Sequence, residues 1–199
     1  AGVSSGLVIE HTSGSTIQGL VINRFSEHGI NLNGVSETTF ACNFIGTDIT
    51  GTADFGNNKN GIFALGSSDN YIGTSDGADR NLISGNDQNG LFLGLGSEYN
   101  DIRKNYIGTD VTGVTDLGNS RAGIETQNAS DNDIIRNVVS GNGTHGIYLF
   151  QALSTGNYVS GNYIGTDKTG SNALGNNGSG IAVNANYNQI EENTISANS

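Results

Sequence analysis

Few residues in this chain can do chemistry, and most of those recur at fixed spacing. Asp48, Asp110 and Asp167 each sit in a segment G-T-D-x-T-G-x-x-x-x-G-N, covering 46–57, 108–119 and 165–176. A carboxylate among threonine hydroxyls and backbone carbonyls is a hard-oxygen donor set, so Ca²⁺ is the one metal cofactor these positions suit. Each segment is poor in carboxylates, however. An Asp that caps its own turn over Thr-Gly is the expectation with more behind it. The other acid of interest is Glu125, with Asp54 and Asp116 as acids of the neighbouring segments. Two carboxylates flanking a bond are what a glycoside hydrolase requires.

The remaining reactive types offer less. His28 and His145 both precede a Gly-Ile step, in a slot that elsewhere holds Asn60, Asn89, Ala122 and Ser179. No nucleophile is spaced to pair with them, and His11 stands alone, so exposed turn histidines are expected. Arg80, Arg103, Lys104 and Arg136 are half of the eight basic residues, and Asp79, Asp101 and Asp133 lie beside them. Surface ion pairs account for that pattern. Cys42 is the single cysteine, which excludes an internal disulfide. No zinc spacing, phosphate loop or nucleophile elbow is present. The sequon Asn128-Ala-Ser has meaning only in a source that glycosylates.

Composition narrows the partners. A formal charge of -11 disfavours nucleic acid and an anionic membrane surface. No apolar run approaches ~18 residues, so no membrane insertion is expected, and no secretory leader is read at the start. Glycine at 31 of 199 residues, with no proline, methionine or tryptophan, would suit a disordered chain. Against that, Ile, Val and Leu recur in pairs spaced by one residue.

Those pairs belong to a repeat. The 43–62 segment NFIGTDITGTADFGNNKNGI returns at 105–124 and again at 162–181, offset by 62 and then 57 residues. Inside it lies a smaller unit, N-x-I/V-x-x-N-x-I/V, at 100–107, 132–139, 157–164 and 188–195. Aligned on the Gly-Ile/Leu step, units begin at Gly6, Gly29, Gly61, Gly90, Gly123, Gly146 and Gly180. The spacings are 23, 32, 29, 33, 23 and 34 residues. A 23-residue coil with outward insertions explains them all, as solenoids permit.

Each coil then holds three short strands. In G-I-x-L-x the apolar residues point inward by period two. Asparagines fall at the bends, where Asn tolerates left-handed backbone. They form two columns: Asn70, Asn100, Asn132, Asn157, Asn188, and Asn43, Asn81, Asn105, Asn137, Asn162, Asn193. At the ~4.8 Å rise between stacked strands, identical amides can bond from coil to coil. The expected fold is all-β: a right-handed parallel β-helix of about seven coils, one domain over 1–199, and a segment of a longer protein.

On those motifs the chain resembles the right-handed β-helix repeat proteins of the pectate-lyase-like superfamily. It is most similar to bacterial secreted or surface proteins rich in N-x-I-G-T-D-x-T-G and N-x-I-S-G-N units. The resemblance implies a secreted or cell-surface setting. It does not fix function, since that superfamily holds polysaccharide lyases, hydrolases, epimerases, tailspikes and non-catalytic adhesins.

Function is expected on the outward face of the first strand, where Phe63, Phe92, Glu125, Tyr148 and Phe150 gather with Leu65. A contiguous exposed apolar patch of this kind marks a binding surface or is covered by local packing. The G-T-D segments, one on every second coil, are expected to wall that face into a groove. The first functional expectation is a non-catalytic surface, adhesion or carbohydrate-binding module that uses this face for a polysaccharide or cell-surface glycan. The alternative is a polysaccharide lyase or glycoside hydrolase with Glu125 as the catalytic acid. End-to-end self-association is a further expectation, because both ends present open strand edges.

Overall fold

In the computed structural model, which describes residues 3–199, the chain winds seven times as a right-handed parallel β-helix. Three parallel sheets of seven strands run the length of the stack. The first collects the G-I-x-L strands Leu7–Glu10, Ile30–Asn33, Ile62–Leu65, Leu91–Leu93, Ile124–Gln127, Ile147–Phe150 and Ile181–Asn184. The second runs from Thr16–Gln18 to Gln189–Glu191, and the third from Val21–Ile22 to Thr194–Ile195. Register follows the aligned glycines, with Ile62 beside Leu91, Leu91 beside Ile124, and Ile124 beside Ile147.

The core is the inward half of every strand. Ile62, Leu91, Ile124 and Ile147 form one stacked row, and Ile102 and Ile134 belong to another on the second sheet. All are fully buried. Stacking like on like buries apolar surface continuously, which no single coil could do alone. Thr126 breaks the other inward row of the first sheet, Leu32, Ala64, Leu93 and Leu149, standing between Leu93 and Leu149. Its hydroxyl is buried and has no hydrogen-bond partner among the described residues.

Both expected asparagine columns are present as ladders. Asn105 is typical. Its Oδ1 accepts from the backbone N–H (3.1 Å) and the Nδ2 (2.9 Å) of Asn81. Its own Nδ2 donates to the Ile72 carbonyl at 2.7 Å and to Asn137 Oδ1 at 3.1 Å. A third ladder escaped the sequence reading: Asn57, Asn86, Asn119, Asn142, Asn176 and Asn198 link in the same way. Every corner of the coil therefore carries one.

The left-handed residue at a corner is not the asparagine itself but the one before it. Cys42, Lys104 and Arg136 have φ of 54, 53 and 55°, directly ahead of Asn43, Asn105 and Asn137. A non-glycine residue there costs roughly 1–2 kcal/mol, and the ladder bonds that follow offset it.

The long insertions occur at two corners. On the second, fourth and sixth coils the G-T-D segments form hairpins, bridged at Thr47–Asp54, Thr109–Asp116 and Thr166–Ala173. The third coil is lengthened elsewhere, between Ile72 of the second sheet and Leu82 of the third, by a short excursion containing the 3₁₀ turn Gly77–Asp79.

Two stability outcomes follow. Asn105→Ala orphans two buried donors and a carbonyl, and should lower unfolding free energy by about 3 kcal/mol in urea, whereas exposed Asn33→Ala should stay within about 0.5 kcal/mol. Thr126→Val removes an unpaired buried hydroxyl at nearly constant shape and should raise stability by about 1 kcal/mol. A loss on that change would mean that the hydroxyl has a partner after all.

Candidate functional site on the first sheet

The outward column of the first sheet runs Val8, Asn31, Phe63, Phe92, Glu125, Tyr148 and Ala182. Parallel register at one strand spacing places successive side chains of this column face to face. His28 is stacked on Phe63 with ring centroids 4.4 Å apart, and Phe63 on Phe92 at 5.1 Å, both nearly parallel. Tyr148 meets Phe150 at 4.9 Å and His145 at 5.0 Å, both tilted. The strip thus has two parts, a closed stack above Glu125 and a more open trio below it. Gly94 makes room for the first part, since a Cβ there would lie 2.2 Å from Leu65 Cδ2 and 2.9 Å from Phe92 Cε1.

His28 corrects the expectation of exposed turn histidines. It is buried, at 8% exposure, beneath Phe63. Its Nδ1 accepts from the Asn60 backbone N–H at 3.3 Å. Asn60 Oδ1 accepts in turn from Asn89 N, and Asn89 Oδ1 from Ala122 N, each at 3.0 Å. The slot before the strand-one glycine is thus a fourth inter-coil relay. In the sixth coil His145 fills it, with Nδ1 accepting from Ser179 N at 3.1 Å. That bond leaves the proton of a neutral His145 on Nε2. Burial, with Lys59 adding to it, lowers the His28 pKa and keeps its ring neutral.

Glu125 stands between the two aromatic groups, half-buried. Its Oε2 accepts from Asn89 Nδ2 at 3.0 Å. Burial pushes its carboxyl pKa up, against smaller lowering effects from the Asn89 bond, Arg121 and His145. Asn89, Arg121 and His145 are the neighbours that sequence reasoning left out. The signal for Asn89 and His145 was the glycine-preceding slot, which places residues of adjacent coils beside Glu125; Arg121 stands one residue before that slot.

The acids named as partners of Glu125 are engaged elsewhere. Asp54 Oδ1 accepts from Gly56 N at 2.9 Å and Asp116 Oδ1 from Gly118 N at 2.8 Å, so each closes its own turn. Both are exposed in the hairpins. The expected groove wall is also corrected, because the hairpin tips fold onto the third sheet. Gly51 lies against Phe44, Leu82 and Val111, Gly113 against Tyr106, and Gly170 against Tyr163. Phe44, Tyr106 and Tyr163 are outward residues of that sheet, and the hairpins cover them together with Leu82 and Val138. Burying those side chains decides where the loops go.

Within the hairpins Asp48, Asp110 and Asp167 cap their own turns. Asp48 Oδ1 accepts from Thr52 N and Ala53 N, both at 3.0 Å, and its Oδ2 from Thr50 Oγ1 at 2.7 Å. The Thr50 hydroxyl and then these backbone donors hold its pKa at about 2. Asp167 is lowered further by Asn172 and Thr169. Asp110 is lowered too, its Thr112, Thr115 and Val114 donors outweighing burial. Lone pairs committed to the loop are not free for a cation. Among the described residues no three His, Cys, Asp or Glu converge.

The basic residues part company. Arg103 contacts Asp101 directly and reaches Asp133 at 3.6 Å, as ion pairing requires. Arg80 instead lies 4.4 Å over the Tyr106 ring, and Lys104 donates to the Ser75 carbonyl.

With this geometry in hand, comparison with known proteins adds one firm point. No family model matches the chain, and no curated protein sequence does. Among solved structures, the chain is similar to a mutant of the periplasmic alginate epimerase AlgG, at 20% identity and a TM-score of 0.66. The match covers 91% of this chain and 35% of that one, so the chain spans about a third of the epimerase's length. That likeness establishes the class as a parallel β-helix. No described helix is long and apolar enough to cross a membrane.

A carboxyl whose folded-state pKa is raised destabilises the fold once it ionises. Its favourable contribution is full below the ordinary value of 4.5 and lost as pH rises through the raised value. Glu125→Gln, which keeps an acceptor for Asn89, should therefore raise Tm at pH 7 and lose that advantage by pH 4. An equal effect at both pH values would remove the burial argument.

Proposed function

We propose that the chain is a secreted or cell-surface carbohydrate-binding solenoid that holds a polysaccharide along the outer face of its first sheet and performs no chemistry on it. The observation that supports this most is Glu125, a half-buried carboxylate flanked by Phe92 on one rung and by Tyr148 and Phe150 on the next. Its Oε1 accepts no hydrogen bond from the described residues, which leaves an acceptor for sugar hydroxyls between apolar ring surfaces. His145 Nε2–H and the Arg121 guanidinium supply donors at the same place. The closed stack of His28, Phe63 and Phe92 turns its ring faces on itself. The ligand surface is accordingly assigned to Phe92, Glu125, Tyr148 and Phe150, with Phe63 holding Phe92 in place.

The non-catalytic reading rests on what each group has left to do. A base must carry a free lone pair to the reacting proton. The Nδ1 lone pair of His145 is occupied by Ser179 N, so the free lone pair among the described residues here is on Glu125 Oε1, which this reading assigns to sugar hydroxyls. Hydrolysis needs a second carboxylate, and Asp54 and Asp116 close their own turns. The name of the structural neighbour, an alginate epimerase, agrees with a polysaccharide as ligand.

A glycan array followed by calorimetry tests this. Tyr148→Ala and Phe150→Ala should each weaken the selected glycan at least about tenfold, while Tm moves by no more than about 2 °C. Depolymerised, unsaturated or epimerised product after incubation with acidic polysaccharides, lost in Glu125→Gln, would overturn the non-catalytic assignment.

A further inference from the structure

The second sheet carries a cleft that the first-sheet reading does not use. Its floor is an interruption in the outward pattern. One outward column of this sheet runs Thr39, Tyr71, Asp101 and Asp133 on successive rungs. Alongside it, the position between Ala41 and Arg103 falls to Gly73, which has φ of 83°. A Cβ there would lie 2.0 Å from the Arg103 carbonyl, so the floor stays without a side chain. One wall is the excursion of the third coil, which among the described residues is the only coil lengthened at this corner. Thr74 and Ser75 of that wall face the sheet. Lys104 holds the wall by donating to the Ser75 carbonyl, and Thr74 Oγ1 donates to the Asp79 carboxylate at 3.1 Å.

The space enclosed is about 250 Å³, lined by Thr39, Tyr71, Gly73, Thr74, Ser75, Asp101 and Arg103. That is the scale of one sugar ring and below the range of drug-sized pockets. Tyr71 is 51% exposed, although it sits in mid-sheet between Thr39 and Asp101. An aromatic face left open beside a polar pair suits a pyranose, whose C–H face packs on the ring while its hydroxyls meet the pair. Asp101 is half-buried, and burial pushes its pKa up while Arg103 pulls it down.

Charge selects among sugars. Arg103, the cation among the described residues that line the space, is already matched by Asp101 and Asp133 and is not free for a uronate carboxylate, while Lys104 does not line it and is bonded to the Ser75 carbonyl. Asp101 is in turn matched by Arg103, which removes the free anion that an amino sugar would seek.

We propose that this cleft, built by Tyr71, Asp101, Arg103 and the Thr74–Ser75 wall, is a second carbohydrate subsite that takes a single uncharged hexopyranose unit. It lies on a different sheet from the surface in the preceding section and stands or falls independently of it.

Amide chemical-shift mapping with the methyl glycosides of glucose, galactose and mannose, with glucuronate and with glucosamine tests this on the whole chain. At least one neutral glycoside should shift the amides of Tyr71, Gly73, Thr74 and Arg103 while those of Phe92, Glu125 and Tyr148 stay still. Tyr71→Phe should keep the effect. Tyr71→Val, which retains strand propensity but has no flat face, should weaken it at least about tenfold. The subsite is overturned if no neutral glycoside moves those amides at 50 mM, roughly the weakest binding worth assigning to one ring. It is equally overturned if Tyr71→Val binds as well as the native chain, or if only glucuronate or only glucosamine binds.

Discussion

Everything in this molecule depends on one hydrogen-bond relay, the side-chain amide that joins a corner of one coil to the same corner of the next. In the ladder interiors each Oδ1 takes two donors from the neighbouring coil, and each Nδ2 gives one bond onward to the next amide and another to a backbone carbonyl. Such an asparagine has almost no unsatisfied capacity, which is why it can be fully buried. The relay also fixes register. A coil shifted by one residue would take the amide away from the place where it is required and would turn its Ile and Leu outward. Left-handed residues such as Lys104 and Arg136 persist because the next residue is locked in this way.

The fold was legible because the relay and the core are both periodic. Ile/Val/Leu pairs at period two and asparagines at constant offset define strands and bends without any tertiary information. The third ladder was just as periodic, in Gly56-Asn57, Gly85-Asn86, Gly118-Asn119, Gly141-Asn142 and Gly175-Asn176. It went unread because three of those pairs end the G-T-D segments, where they look like part of a loop. The fourth relay was hidden by its mixed membership. His28, Asn60, Asn89 and Ser179 are of three side-chain types, joined only by the ability to meet a neighbour's backbone N–H or to be met at their own.

The site was less legible than the fold, for a physical reason. The column holding Phe63, Phe92, Glu125 and Tyr148 followed directly from register. What surrounds Glu125 did not, because Asn89, Arg121 and His145 come from different turns of the chain and converge only at the approach to the strand-one glycine. Loop placement was harder still. The hairpins leave the third sheet and continue toward the first, so sequence order alone puts them beside Glu125. Their actual position is decided by outward Phe44, Leu82, Tyr106, Val138 and Tyr163, which need cover from water. An outward apolar residue on the third sheet was the available signal.

That cover makes the structural unit of this solenoid a pair of coils. A hairpin rooted on an even coil reaches past the next odd one to the hairpin beyond, with Val111 N donating to the Gly51 carbonyl and Lys168 N to the Gly113 carbonyl, both at 2.9 Å. The outward residues of the intervening odd coils, Leu82 and Val138, are buried beneath and have no loop of their own. Growth or shortening of such a rod is therefore quantised. Two coils can be added or lost with the shingling intact, whereas a change by one would set two hairpins on the same rung distance or leave a bare apolar step between them.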